Sequence, residues 1–368
     1  MRLLCKIVLP LALLVFATGI NAQSRRVAPV PSPTPSDDEA VRVLTEEVKL
    51  NVLAFDEDGK FVPDVTANDL VINEDNILHQ PSSVRRMPAS VLIVMDTGGE
   101  LRQVKSLDQT RKTARAVVKA LKPGDEVAIL QYSDKAEIVS EWTDNKADTL
   151  RAIGKTNFGR RSAFVDAINM SIDFIQKVQQ GNKHLVLITD GTDSSVDART
   201  KAQALNRLLA TDISVHVLSY TQMEAADIAP RTKGISNSPP PKAMPDEVAA
   251  QLPNGVRDTA TAPKFKTINL DRTMLRKLRA RKADLENAEI QLNAIAEKTN
   301  GDMIVPTSLD EMVEKSALVA KMIDASYVVT YIPKIPLTEK SPERNIEVTS
   351  KRNGLIVQAR RKLIVSPQ

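Results

Sequence analysis

The chain has 368 residues, 42% of them hydrophobic and 3% aromatic. That is enough apolar material for a well-buried core, and too few rings for a platform that stacks bases or sugars. Lys and Arg number 50 against 46 Asp and Glu, a near balance that excludes any global electrostatic reason to expect nucleic acid as a partner.

The N-terminus addresses the compartment. Arg2 and Lys6 precede an apolar run from Ile7 to Phe16, and Ile20-Asn21-Ala22 puts a small residue before Gln23. This is the layout of a secretory signal peptide over residues 1–22, with an uncleaved anchor as the alternative; the run is short for a membrane span. An exported protein is expected, periplasmic or extracellular, with no transmembrane segment in the mature chain. Cys5 is the single cysteine and precedes the apolar run, so it is no lipid acceptor. The mature chain then has neither a disulfide nor a thiolate metal site.

Residues 23–40 include the stretch VAPVPSPTPS, which reads as an extended, disordered tether. N-terminal strands are expected over 41–87. Lys49 to Phe55 alternates as a strand, Asp56-Glu57-Asp58-Gly59 turns the chain, and Leu70-Val71-Ile72 resumes the pattern. The DxDG run resembles a fragment of a calcium loop, but the rest of a ligand series is missing.

From residue 88 to 326 strands and helices alternate. Ser90 to Met95 and His184 to Thr189 are continuous apolar runs, as strands covered on both faces are. Glu126 to Tyr132 and Ile213 to Ser219 read as further strands, with Glu137 to Trp142 as an antiparallel neighbour. Helical spacing runs through Val104 to Leu121, Ala163 to Val178 and Asp197 to Ala210. The pattern predicts an α/β fold: a doubly wound, mostly parallel sheet with helices on both faces. Residues 221–270, rich in proline, read as a long mobile insertion. A helix over Asp271 to Thr299 ends at Asn300-Gly301, and Ser308 with Glu311 opens another in a capping box. Residues 327–368 return to strands, with a hairpin expected around Asn353-Gly354. They are expected to pair with 41–87 in a small β-sandwich.

Ligands of open α/β sheets sit at the carboxyl ends of the parallel strands. Three segments converge there: Asp96-Thr97-Gly98-Gly99-Glu100, then Arg160-Arg161-Ser162, then Thr189-Asp190-Gly191-Thr192-Asp193. A strand ending in Asp, a Ser or Thr before a helix, and a strand ending in Thr-Asp-Gly resemble the von Willebrand factor A domain. The flanks, Asp58-Gly59-Lys60, Asp69-Leu70 and Tyr327 to Pro333, resemble the VWFA-related secreted proteins typical of acidobacteria.

The resemblance implies a metal-ion-dependent adhesion site of the pattern Asp-x-Ser-x-Ser, a Thr and an Asp, which holds Mg2+ or Mn2+. By position Asp96 matches the first aspartate, Ser162 the threonine and Asp190 the last aspartate. The two serines are replaced by Gly98 and Glu100, so the site is degenerate. Two readings stand side by side: a cation held by Asp96, Glu100, Ser162 and Asp190, or the fold retained without a cation. Either way, Thr97, Gly98, Gly99, Arg160, Arg161, Thr192 and Asp193 are the candidate partner-binding residues, and the partner expected is another protein.

Arg272, Arg276, Lys277, Arg279, Arg281 and Lys282 make one end of the 271–299 helix basic. Leu278, Leu285 and Leu292 recur every seven residues, with Arg281 interrupting the seam. The expected arrangement packs the C-terminal half on the sheet and sends the basic half into solvent, with an oligomerisation or anionic-surface contact as the alternative. His79, His184 and His216 stand isolated in sequence. No HExxH, GxSxG or Walker run occurs, and no histidine partners Ser194 or Ser195, so an enzyme is not expected. An exported protein-binding or adhesion module is the leading reading; a structural or assembly component of the cell envelope, with an idle loop surface, is the alternative.

Overall fold

The computed structural model describes residues 47–99, 104, 106–179, 181–233, 235–236, 267–268, 272–337 and 343–364. The expected signal peptide and tether, Glu100 and most of the 221–270 stretch lie outside these residues.

In chain order, four strands come first: β1 (Val48–Phe55), β2 (Leu70–Glu74), β3 (Ile77–His79) and β4 (Ser83–Arg85). The alternating region follows: β5 (Ser90–Asp96), α1 (Leu107–Ala120), β6 (Glu126–Tyr132), β7 (Ala136–Thr143), α2 (Lys146–Gly154) and α3 (Phe164–Ile175). It continues through β8 (Lys183–Thr189), α4 (Ala198–Leu209), β9 (Ser214–Ser219) and α5 (Thr221–Ile228). After the short strands β10 (Ile235–Ser236) and β11 (Thr267–Ile268) come α6 (Arg272–Lys298), β12 (Met303–Ile304) and α7 (Leu309–Asp324). The last strands are β13 (Ser326–Tyr331), β14 (Glu343–Ser350), β15 (Ile356–Ala359) and β16 (Lys362–Ile364).

Six strands form one sheet in the order β12-β9-β8-β5-β6-β7, with β7 the one antiparallel member. All seven residues of β5 are buried, because helices cover both faces and period-two alternation supplies each face with its own side chains. Leu92, Val94, Leu185 and Leu187 pack with α3, α4 and Leu292 and Ile295 of α6. Val91, Ile93, Val186 and Ile188 pack with Val117 of α1 and Met312 and Val319 of α7. The doubly wound α/β fold read from the sequence is the fold observed.

The terminal strands form two further four-stranded sheets, β15-β1-β13-β4 and β16-β14-β2-β3. Val48, Leu50, Val52, Leu70, Ile72, Tyr327, Val329, Ile346 and Val348 fill the layer between them. On β14, buried and exposed residues alternate strictly, as on a sheet with one wet face. This is the small sandwich expected of the two ends of the chain. It is tied to the large sheet by Asn51, whose amide donates to Ser214 Oγ at 3.0 Å, and by Arg360, which donates to the Thr211 carbonyl at 2.7 Å.

Three local expectations need correcting, and a fourth is met in part. The hairpin at Asn353-Gly354 is a crossing between sheets: β14 pairs with β2 and β16, while β15 pairs with β1. The start of the 221–270 stretch is helical, since α5 buries Met223 and Ile228, and the ends of that stretch come together where Ile235 pairs with Ile268. Helix α2 is unforeseen; it buries only Thr149, Ala152 and Ile153, too short an apolar face to register as a period. The basic half of α6 leaves Arg272, Arg276, Lys277 and Arg279 exposed, as expected, but it is also anchored: Leu278 buries against Ile228, and Arg279 Nε donates to the Thr232 carbonyl at 3.0 Å.

Candidate functional site

Strand β5 is the branch point of the winding, because the chain leaves it toward β6 and later returns on its other side as β8. Loops leaving two such strands diverge to opposite faces and open a crevice at their carboxyl ends. Asp96 ends β5, and Thr189-Asp190 ends β8 beside it. All three are buried. Tyr132 at the end of β6 shares a 2.6 Å hydrogen bond with Thr189 Oγ1, which donates onward to Asp96 Oδ2 at 3.4 Å.

Thr97 and Gly98, directly after β5, are held by their neighbours. Thr97 donates through its backbone N–H to the Tyr132 carbonyl at 2.9 Å, and its carbonyl accepts from Gly159 N–H at 3.2 Å. Gly98 lies so close to the next loop that a Cβ there would overlap the Arg161 carbonyl oxygen and sit 2.7 Å from Ser133 Cα. The glycine is therefore required by the close approach of two backbones.

Ser162 and the 189–194 loop are sewn together. Ser162 Oγ donates to the Thr192 carbonyl at 2.8 Å, Ser162 N–H donates to Ser194 Oγ at 2.9 Å, and Ser194 N–H returns a bond to the Ser162 carbonyl at 2.9 Å. Asp193 caps α3 from outside that helix: its Oδ2 accepts from Val165 N–H at 2.8 Å, while Oδ1 accepts from Ser195 N–H at 2.8 Å. A carboxylate there satisfies backbone donors at the helix start and complements its dipole.

The main finding at the site is Arg281, carried in by α6. Its Nη2 donates to Asp190 Oδ2 at 2.8 Å, and its Nη1 donates to Thr192 Oγ1. Thr192 in turn donates to Asp190 Oδ1 through both its N–H, at 2.9 Å, and its hydroxyl, at 2.7 Å. The side chain of Arg281 is 15% exposed and that of Asp190 1%, so the pair is largely out of water. A second cation stands nearby: Lys201 Nζ donates to the Gly191 carbonyl at 2.6 Å and lies 5.5 Å from the Phe164 ring centre. Burial pulls the Lys201 ammonium below the ordinary lysine value, and Asp190, Asp193 and Asp284 pull it back.

Helix α6 is seated over this edge by more than the arginine. Gly191 has φ +68°, and a Cβ on it would meet Leu292 Cδ1 at 2.6 Å. Glu289 accepts from Thr221 Oγ1 at 2.6 Å and from Gln222 Nε2 at 3.1 Å. In the sequence Arg281 stands out only as one of six basic residues of the helix and as a break in its leucine seam. No local pattern could place it on Asp190, since the two are 91 positions apart.

Residues 91–192 match the family model described as von Willebrand factor type A domain. The matched segment runs from β5 to the loop after β8 and so includes Asp96, Ser162 and Asp190. Similar solved structures include an aerotolerance-related membrane protein from Bacteroides fragilis, at 15% identity over 65% of this chain and 99% of that one, TM-score 0.39. A von Willebrand factor type A protein from Catenulispora acidiphila is similar at 9% identity over 88% and 75% of the two chains, TM-score 0.41. The PilB minor pilin of Streptococcus sanguinis is similar at 14% identity over 66% and 62%, TM-score 0.36. No curated protein matches the chain.

The metal of the type A adhesion site fits this donor set poorly. Such a cation takes an octahedron of oxygens. Gly98 offers none and has no room for a side chain. Asp190, which would have to face the ion, accepts from a guanidinium, as does the neighbouring Thr192. Glu100, the other candidate ligand, lies outside the described residues. Among the described residues no cluster of three or more His, Cys, Asp or Glu is placed to hold a metal ion.

The candidate partner residues divide by exposure. Thr97, Gly98 and Thr192 are buried, Gly99 and Asp193 half-buried, and Arg160 and Arg161 exposed. The exposed rim also contains Ser194, Ser195 and Phe158, whose ring is 60% exposed. The Phe158-to-Ser162 segment is thus divided between a rim and a floor.

Proposed function

We propose that this chain is an exported protein-binding module that meets its partner through the rim of the type A loop edge, centred on Phe158, Arg160 and Arg161. Phe158 carries the reading. A large ring held mostly in water gains free energy only when something covers it, and aromatic and arginine side chains dominate the centres of protein interfaces. The floor beneath is braced by the Ser162, Asp190 and Asp193 hydrogen bonds, so little ordering entropy remains to be lost on binding. The two arginines favour a partner that sets carboxylates beside an apolar pocket.

Export rests on the charged and apolar layout of the first 22 residues; among the described residues no helix is long and apolar enough to cross a membrane. We read the module as a binder and not an enzyme, because the groups at the loop edge are engaged in mutual hydrogen bonds and no nucleophile–base pair is assembled there. The test is affinity capture from the native envelope fraction, comparing wild type with Phe158→Ala and with Arg160→Glu/Arg161→Glu. A partner held by wild type and weakened ~30-fold or more by either variant supports the reading. A partner held equally by all three proteins contradicts it and favours the envelope-assembly alternative, in which the loop surface is idle.

A further inference from the structure

We propose that Arg281 is the resident cation of the loop edge: its guanidinium does for Asp190 and Thr192 what a divalent metal would do, and the edge works without one. This inference concerns the floor beneath the rim described above and does not depend on whether that rim meets a partner.

Three observations carry it. First, the guanidinium addresses the candidate ligand Asp190, with one nitrogen on its carboxylate and another on the hydroxyl of the neighbouring Thr192. A planar fork of donors matches a carboxylate and a neighbouring hydroxyl as a point charge cannot. Second, the charge is fixed in place. Leu278 and Leu285, about one turn to either side of Arg281, are buried, as is Leu292 further along, and Glu289 is bonded to α5. The helix that carries the arginine is therefore held on the sheet independently of the Arg281–Asp190 contact. Third, the neighbourhood already holds a second cation, Lys201, on the Gly191 carbonyl. A divalent ion entering here would meet two fixed positive charges in a poorly solvated site, where like charges repel strongly.

Gly98 belongs to the same arrangement. A serine at that position would supply the missing hydroxyl, but the Arg161 carbonyl and Ser133 Cα occupy the space its Cβ needs. Gly98 is packed against the next loop where a metal site needs a hydroxyl, and the cation arrives from a helix encoded far along the chain.

The proposal is tested on the full mature chain by two measurements. Calorimetric titration with Mn2+ alone, on wild type and Asp190→Asn, should give no saturable heat at millimolar concentration in either protein. Urea midpoints of Arg281→Gln, Asp190→Asn and the double variant should be strongly non-additive, the second substitution adding little once the first is made. Arg281→Lys, which keeps the charge and loses the fork, should fall between wild type and Arg281→Gln. Saturable Mn2+ binding by wild type that is lost in Asp190→Asn would overturn the proposal. Additive midpoint shifts would overturn it equally, by showing that Arg281 and Asp190 act separately. If Arg281→Gln does not fold, the wild-type titration and the Arg281→Lys midpoint still decide.

Discussion

Arg281 and Asp190 lie 91 residues apart in the chain and meet at 2.8 Å at the carboxyl edge of the sheet. Between them run a strand, a short helix and the 221–270 stretch, so the contact is made by the tertiary fold and by no local motif. Its consequence is that the loop edge of the six-stranded sheet is a braced floor with an exposed rim, and the charge of Asp190 is answered from within the chain.

The closest backbone approach at that floor predicts the effect of one methyl group. Gly98→Ala, and equally Gly98→Ser, drives a Cβ into the Arg161 carbonyl and Ser133. Overpacking of this kind costs about 1–3 kcal/mol, more where backbone must move. Thermal unfolding should show both variants melting lower than wild type. A Gly98→Ser protein as stable as wild type would mean that the loop opens readily.

The two central histidines predict an acid-sensitive fold. His184 and His216 sit on β8 and β9 with rings stacked at 5.3 Å. His184 Nδ1 and His216 Nε2 are 3.2 Å apart, and His184 Nε2 is 2.8 Å from Asn182 Oδ1. The one consistent proton placement has His216 donating to His184 and His184 donating to Asn182, each ring neutral. Burial, aided by the His216 charge, holds His184 well below the usual histidine value, and burial pushes His216 down to about 4. The unfolded chain binds these protons near pH 6.5 and the folded chain does not, so protonation favours unfolding as pH falls. Stability is complete above about pH 6.5, declines from there toward pH 4, and His216 alone accounts for roughly 3 kcal/mol of the loss. Urea midpoints between pH 7.5 and 4 should trace that decline. A profile flat from 6.5 to 4.5 would contradict it.

A buried ion pair anchors the sandwich. Arg344 is fully buried, pairs with Glu74 through Nη1, and donates to the Ile335 and Pro336 carbonyls at 3.0 and 2.6 Å. Removing one member strands the other charge out of water. Glu74→Ala should therefore cost about 3–5 kcal/mol, whereas replacing both residues by apolar ones of similar volume should cost far less. Chemical denaturation of the single and double variants checks the difference. Equal losses in both would show that packing, and not charge, matters there.

The fold was largely legible because its strands are continuous apolar runs and its helices open on visible caps. Ser308 accepts from Glu311 N–H at 3.2 Å, although the Glu311 carboxylate reaches past it to Thr307 N–H at 2.7 Å. The helix ending at Asn300-Gly301 does so on Asn300, at φ 59°. The loops of the site were legible because strand ends are. What escaped was what depends on neighbours distant in the chain. The histidines look isolated until β8 and β9 lie side by side, and Asn353-Gly354 looks like a hairpin until β14 and β15 are assigned to different sheets. Arg281 looks like a flaw in a leucine repeat until the helix is laid over Gly191.

The most direct measurement is a crystal structure of the mature protein grown in 10–20 mM MgCl2, an excess of roughly an order of magnitude over a millimolar site. The Arg281 guanidinium should lie on Asp190 and Thr192, with no ion at the loop edge. An octahedral cation on Asp96, Ser162 and Asp190, with Arg281 turned away, would contradict that assignment.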